Sequence, residues 1–139
     1  MRKSELWIKR EIYEELLRHC LKEPAKEVCG ILAGREKRIG RIFPLVNISD
    51  NPKFCYVIDS REPLKLFKEL RTQNLEMVAI YHSHVDAQAY PSQRDIEMAS
   101  YPESSYIIVS LSDPKSPVAR SFRIVDGKIS EEELVIEDV

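Results

Sequence analysis

The stretch Glu76-Met77-Val78-Ala79-Ile80-Tyr81-His82-Ser83-His84 decides the reading of the fold. From Met77 to Tyr81 it is continuously apolar, the pattern of a strand covered on both faces. Such a strand lies in the middle of a sheet that carries helices on its faces. The same stretch ends on two of the chain's three histidines. Its apolar part fixes the architecture, and its end brings polar chemistry to that architecture.

Upstream, Arg61 to Thr72 reads as a helix capped by Asp59 or Ser60, with Pro63 tolerated in its first turn. Phe54 to Ile58 reads as a strand, and Asn47 to Lys53 as a loop rich in turn residues. Val28–Ala33 and Arg38–Val46 read as a hairpin closed by a turn near Gly34. Leu6-Trp7-Ile8 is a first short strand. A helix follows from about Lys9 to Leu21, with Ile12, Leu16 and Leu17 on one side and Pro24 beyond its end. Downstream, Ser92 opens a helix to about Ser100, and Tyr106–Ser110 is a buried strand. Val118, Arg120, Phe122 and Ile124 mark another strand, Asp126-Gly127 a tight turn, and Lys128 to about Ile136 the last strand. Glu131 to Glu133, Glu137 and Asp138 read as a solvated acidic face. The interleaving predicts one α/β domain over residues 1–139, a mixed sheet flanked by helices.

Composition limits the function. With 139 residues the chain buries enough surface to fold without staples. Its 21 basic and 23 acidic residues leave a net charge of −2, against the basic excess of nucleic-acid-binding modules. No apolar run approaches the roughly 18 residues of a membrane span, and Met1 to Trp7 lacks a signal-peptide core. A cytoplasmic protein without a membrane or nucleic-acid partner is the expectation. Cys20, Cys29 and Cys55 show no CxxC spacing. They read as small buried apolar residues, with a Cys–His pair or one disulfide left open.

Residues two apart on a strand share a face at roughly 6.5–7 Å between Cα atoms. His82 and His84 therefore point to one place, with Ser83 facing away. Imidazole suits zinc, which in catalytic sites takes three protein ligands and water. Asp95, on the first turn of the returning helix, is a candidate third ligand. Ser92-x-x-Asp95 is equally a helix capping motif. A cap fixes where Asp95 points, so the two readings coexist. A cupin-like HxH site fits poorly, because Val85-Asp86-Ala87-Gln88-Ala89 holds no Glu.

His82-Ser83-His84, seven residues, Ser92, two residues, Asp95 resembles the signature of the JAMM (JAB1/MPN-plus) metallopeptidases. Glu27-Val28-Cys29-Gly30-Ile31-Leu32-Ala33-Gly34 resembles the family's upstream segment. Tyr81 to His84, Ala89 to Ser92 and Ser121 to Gly127 look closest to the bacterial Mec group. The resemblance implies a JAB1/MPN-like domain with a mixed, curled β-sheet. It implies a zinc hydrolase that releases cysteine from the C-terminus of a small ubiquitin-like sulfur-carrier protein, in cysteine biosynthesis. A homodimer is compatible with it. The eukaryotic deubiquitinating members usually carry Pro after the second His, where this chain has Val85.

On this resemblance His82, His84 and Asp95 would hold Zn²⁺. Zinc lowers the pKa of its water to about 7. Glu27 would be the general base and Ser92 a donor to the oxyanion. Tyr81 and Tyr90 line a substrate groove or pack in the core. His19 receives no role. Two other readings stand beside this one. An isopeptidase would remove small ubiquitin-like modifiers from lysines. A non-catalytic scaffold of the same fold would bind no metal.

Overall fold

A computed structural model describes residues 4–138, so the two ends of the expected 1–139 unit lie outside the described residues. The elements run β1 (Glu5–Lys9), α1 (Arg10–Lys22), β2 (Cys29–Arg35), β3 (Arg38–Leu45), α2 (Arg61–Thr72), β4 (Glu76–His84), α3 (Gln93–Met98), β5 (Ser105–Ser110), β6 (Val118–Val125) and β7 (Lys128–Glu137). The strands form one mixed sheet in the order β1-β3-β2-β4-β5-β6-β7, which curls until β7 meets β1 and closes a barrel. β4 lies between antiparallel β2 and parallel β5, as its unbroken apolar run requires. Ala79 and Tyr81 pack toward α1, where Ile12, Leu16 and Cys20 form a buried stripe at four-residue spacing. Ile80 faces the other side with Tyr106 and Ile124. Leu66 and Leu70 of α2 cover Ile31 and Ala33. Asp59 Oδ1, rather than Ser60, accepts the first amide of α2, from Arg61 at 3.0 Å.

Four local expectations are corrected. The β2–β3 turn falls on Glu36 and Lys37, both with positive φ (50° and 66°), two residues beyond Gly34. Gly34 instead sits at a bulge, where a Cβ would meet the Arg38 carbonyl oxygen at 1.8 Å. Phe54–Ile58 forms no strand, because its backbone is bonded locally, by the Asn47 side chain and by the main chain of Ile48 and Asn51. α3 stops at Met98, since Ala99 is already extended (φ −69°, ψ 109°).

The fourth correction concerns the acidic tail. Glu133 is exposed, but Glu132 is 2% exposed. Strand alternation turns Glu132 inward, where it accepts hydrogen bonds from Ser4 and Ser121 at 2.9 Å, from Lys37 at 3.0 Å and from Ser105. Its neighbour Glu131 pairs with Arg120. Burial alone would raise the Glu132 carboxyl, but these donors hold it below its ordinary value. A depressed folded value means stability that is complete above the unfolded value of 4.5 and lost as pH falls below it. Glu132→Ala leaves two buried hydroxyls without their acceptor, so its expected cost is about 3 kcal/mol in denaturant unfolding at pH 7. The difference from wild type shrinks as the pH is lowered toward 3.

Candidate metal centre

β4 delivers His82 and His84 to one face at its carboxyl end. Ser83 points the other way and accepts the Val28 amide at 2.9 Å, tying β4 to the start of β2. α3 begins on Ser92, whose Oγ accepts the Asp95 amide at 3.1 Å, while Asp95 Oδ2 accepts the Ser92 amide at 2.9 Å. This reciprocal cap aims the Asp95 carboxylate at the histidines. Both histidines and Asp95 are buried.

Three donor atoms converge. His84 Nε2 lies 3.0 Å from Asp95 Oδ2, and His82 Nε2 lies 3.2 Å from both Asp95 Oδ2 and His84 Nε2. A tetrahedral ion with bonds of about 2.0–2.1 Å separates its ligand atoms by about 3.3 Å. The three atoms thus outline one face of such a tetrahedron, within a few tenths of an ångström. Two imidazole nitrogens this close repel unless a proton or a metal ion lies between them. Among the described residues, this trio is the group of His, Cys, Asp and Glu able to hold a metal.

The electrostatics favour the liganding forms of His82 and Asp95. Burial lowers the His82 pKa, so its imidazole is readily neutral. Burial would raise Asp95, but hydrogen bonds from His82, His84 and the Ser92 amide hold it well below the usual carboxylate range. His84 Nδ1 faces the Gln88 carbonyl at 2.7 Å, which leaves Nε2 for an ion. Burial opposes protonation of His84, yet Asp95 and the Gln88 carbonyl raise its pKa overall.

Glu27 immediately precedes Val28 and β2, and β2 runs antiparallel to β4 with Cys29 opposite His82. This register sets Glu27 beside the His84 end. Glu27 is 5% exposed, and its Oε1 has no hydrogen-bond partner. Burial pushes the carboxyl up to about 7; His84 opposes the rise and Asp95 adds to it. Glu27, His84 and Ser92 line a cleft of about 210 Å³ with Lys53, Phe54 and Val85. A larger cavity of about 480 Å³ opens at the opposite end of β4, bounded by Phe67 and Tyr101. It contains none of the converging donors, so the chemistry belongs to the smaller cleft.

The remaining expectations divide. Tyr81 is fully buried beneath α1, and its hydroxyl meets His19 Nδ1 at 2.7 Å, so it is a core residue. Gly30 allows this packing, because a Cβ there would lie 2.4 Å from the Tyr81 oxygen. Tyr90 is 49% exposed and packs edge-on against Phe122. All three cysteines are free, and burial pushes the Cys20 and Cys29 thiols up to about 12, far from nucleophilic. Sequence reading missed Tyr56, which stacks on His82 with ring centroids 4.4 Å apart. No local pattern signals that contact, since 26 positions separate the two residues. No helix among the described residues is long and apolar enough to cross a membrane.

The chain is similar to several known proteins. A family profile described as prokaryotic homologs of the JAB domain (Prok-JAB) matches residues 9–125. A CysO-cysteine peptidase of Mycobacterium tuberculosis is 38% identical over 129 residues, covering 91% of this chain and 88% of that one. A probable TtuB-protein conjugate cleaving protease of Thermus thermophilus is 40% identical over 96 residues, covering 69% and 64%. Among solved structures, a protein of Desulfitobacterium hafniense superposes with a TM-score of 0.86 at 33% identity, covering 96% and 94%.

Proposed function

Because the chain belongs to the Prok-JAB family of JAB-domain homologs, we propose that it is a zinc hydrolase acting on a ubiquitin-like sulfur-carrier protein. It cleaves the amide bond at the carrier's C-terminus and releases cysteine. The observation that carries this reading is the convergence of His82, His84 and Asp95 at 3.0–3.2 Å beside a buried Glu27 carboxyl whose Oε1 has no partner. A non-catalytic scaffold has no need of such an arrangement, which costs stability without an ion.

His82, His84 and Asp95 hold the metal, and two imidazoles with one carboxylate suit zinc. When bound, the metal supplies Lewis acidity toward water and the scissile carbonyl. Glu27 takes a proton from the attacking water and later delivers one to the leaving amine. A carboxyl whose pKa lies near neutrality serves both directions. The Ser92 hydroxyl accepts the Asp95 amide and keeps its own proton free to donate to the developing oxyanion. Water thus adds across one C–N bond, leaving a carrier carboxylate and the free amino group of cysteine.

The Mycobacterium relative is named for a cysteine adduct, and the Thermus relative for protein conjugates. The second name favours the isopeptidase reading enough to test it. Equal amounts of a carrier–cysteine adduct and a carrier–lysine conjugate are given to the metal-loaded protein, and both are followed by intact mass. Faster release from the cysteine adduct is expected. Cleavage of the lysine conjugate alone would reverse the assignment.

A further inference from the structure

The segment between β3 and α2 has neither strand nor helix over residues 47–58, yet one side chain organises it. Asn47 uses every hydrogen-bonding position of its amide. Its Nδ2 donates to the carbonyls of Glu27 at 2.8 Å and Cys55 at 3.0 Å. Its Oδ1 accepts the amides of Ser49 and Val57, each at 3.0 Å. The Cys55 carbonyl and the Val57 amide flank Tyr56, so Asn47 grips the chain just before and just after that residue. Glu27 is held on both sides as well. Its amide donates to the Pro52 carbonyl at 2.6 Å, and its carbonyl takes Asn47.

Glu27 and His82, the site residues beside this segment, each keep one buried side-chain atom without a partner. Glu27 Oε1 has no partner, so the place of its carboxylate follows from the backbone. His82 Nδ1 also has no partner, although a metal-binding histidine ordinarily donates its second nitrogen to a carbonyl or carboxylate. The His82 ring lies instead against Tyr56, at 26° between planes. Asp95 fixes the Nε2 end of His82 at 3.2 Å, Tyr56 fixes the plane of its ring, and Asn47 holds the backbone on either side of Tyr56.

We infer that Asn47 is a positioning residue for the hydrolytic site. Through one amide it fixes the backbone of the base and the aromatic face that orients a metal ligand. The inference rests on the roles proposed above for Glu27 and His82. Asn47→Asp separates the two halves of the amide without changing its shape. It keeps the acceptor for Ser49 and Val57 but sets oxygen against the Glu27 and Cys55 carbonyls.

The test uses the full chain as wild type, Asn47→Ala, Asn47→Asp, Tyr56→Ala and Tyr56→Phe. Metal release to a chromophoric chelator is timed without substrate, and kcat and KM are measured on the carrier–cysteine adduct. In both Asn47 variants, metal release is expected to quicken about 10-fold. Their kcat falls about 10–100-fold, with KM changed much less. Tyr56→Phe, which retains the stacking face, recovers the metal retention lost in Tyr56→Ala. Folded Asn47 variants with wild-type release and kcat overturn the inference. If the Asn47 variants fail to fold, equal release from Tyr56→Ala and Tyr56→Phe overturns it. A wild type that neither holds metal nor cleaves the adduct overturns the functional reading and the inference together. An active wild type matched by its Asn47 variants overturns the inference alone.

Discussion

Glu27→Gln keeps its metal and loses about three orders of magnitude in kcat. Glutamine has the shape of glutamate, and Glu27 makes no hydrogen bond to His82, His84 or Asp95. The ligand set therefore survives the change. An amide cannot take a proton from water or return one to the leaving amine, so both transfers lose their carrier. Burial of Glu27 sharpens the contrast, because few other groups reach the same position. Metal content by elemental analysis and single-turnover cleavage separate the two effects. Near-normal turnover in a metal-loaded Glu27→Gln protein would remove Glu27 from the chemistry.

Asp95→Asn abolishes both metal retention and turnover while leaving α3 in place. Asp95 serves as a cap partner and as the negative charge facing two imidazoles. Asparagine still offers an oxygen to the Ser92 amide, and Ser92 Oγ still accepts the amide of residue 95. Only the charge is lost. The expected fall in metal affinity exceeds the roughly 10–100-fold that follows loss of an outer hydrogen-bond partner. His82→Ala loses metal for a different reason, the removal of one donor atom. Circular dichroism checks that α3 remains, and equilibrium dialysis measures the metal. A protein that retained metal after Asp95→Asn would place its third ligand elsewhere.

Much of this was legible in the chain. The run from Met77 to Tyr81 reads as a central strand because it is covered on both faces. The period of two placed His82 and His84 together, and the Ser92–Asp95 cap is written in four consecutive positions. Glu27 was legible only through a family likeness, since nothing local marks a buried carboxylate at a strand start. Glu132 was misread for the same reason. A run of acidic residues looks solvated, and the donors around the buried Glu132 come from Ser4, Lys37 and Ser105, distant in sequence, and from Ser121 across the β6–β7 hairpin. Phe54 to Ile58 has strand composition, but the Asn47 side chain and the main chain of Ile48 and Asn51 bond its backbone in place of a neighbouring strand. Closure of the sheet by β7 against β1 depends on a parallel pairing between the chain's first and last strands, which no local pattern announces.

The most direct test follows the intact mass of a sulfur-carrier–cysteine adduct incubated with the protein as prepared, after chelator treatment, and after resupply of zinc. The expected record is loss of one cysteine residue in the first and third samples and an unchanged adduct in the second. An adduct that stays intact in all three, or is cleaved equally well without metal, contradicts the account.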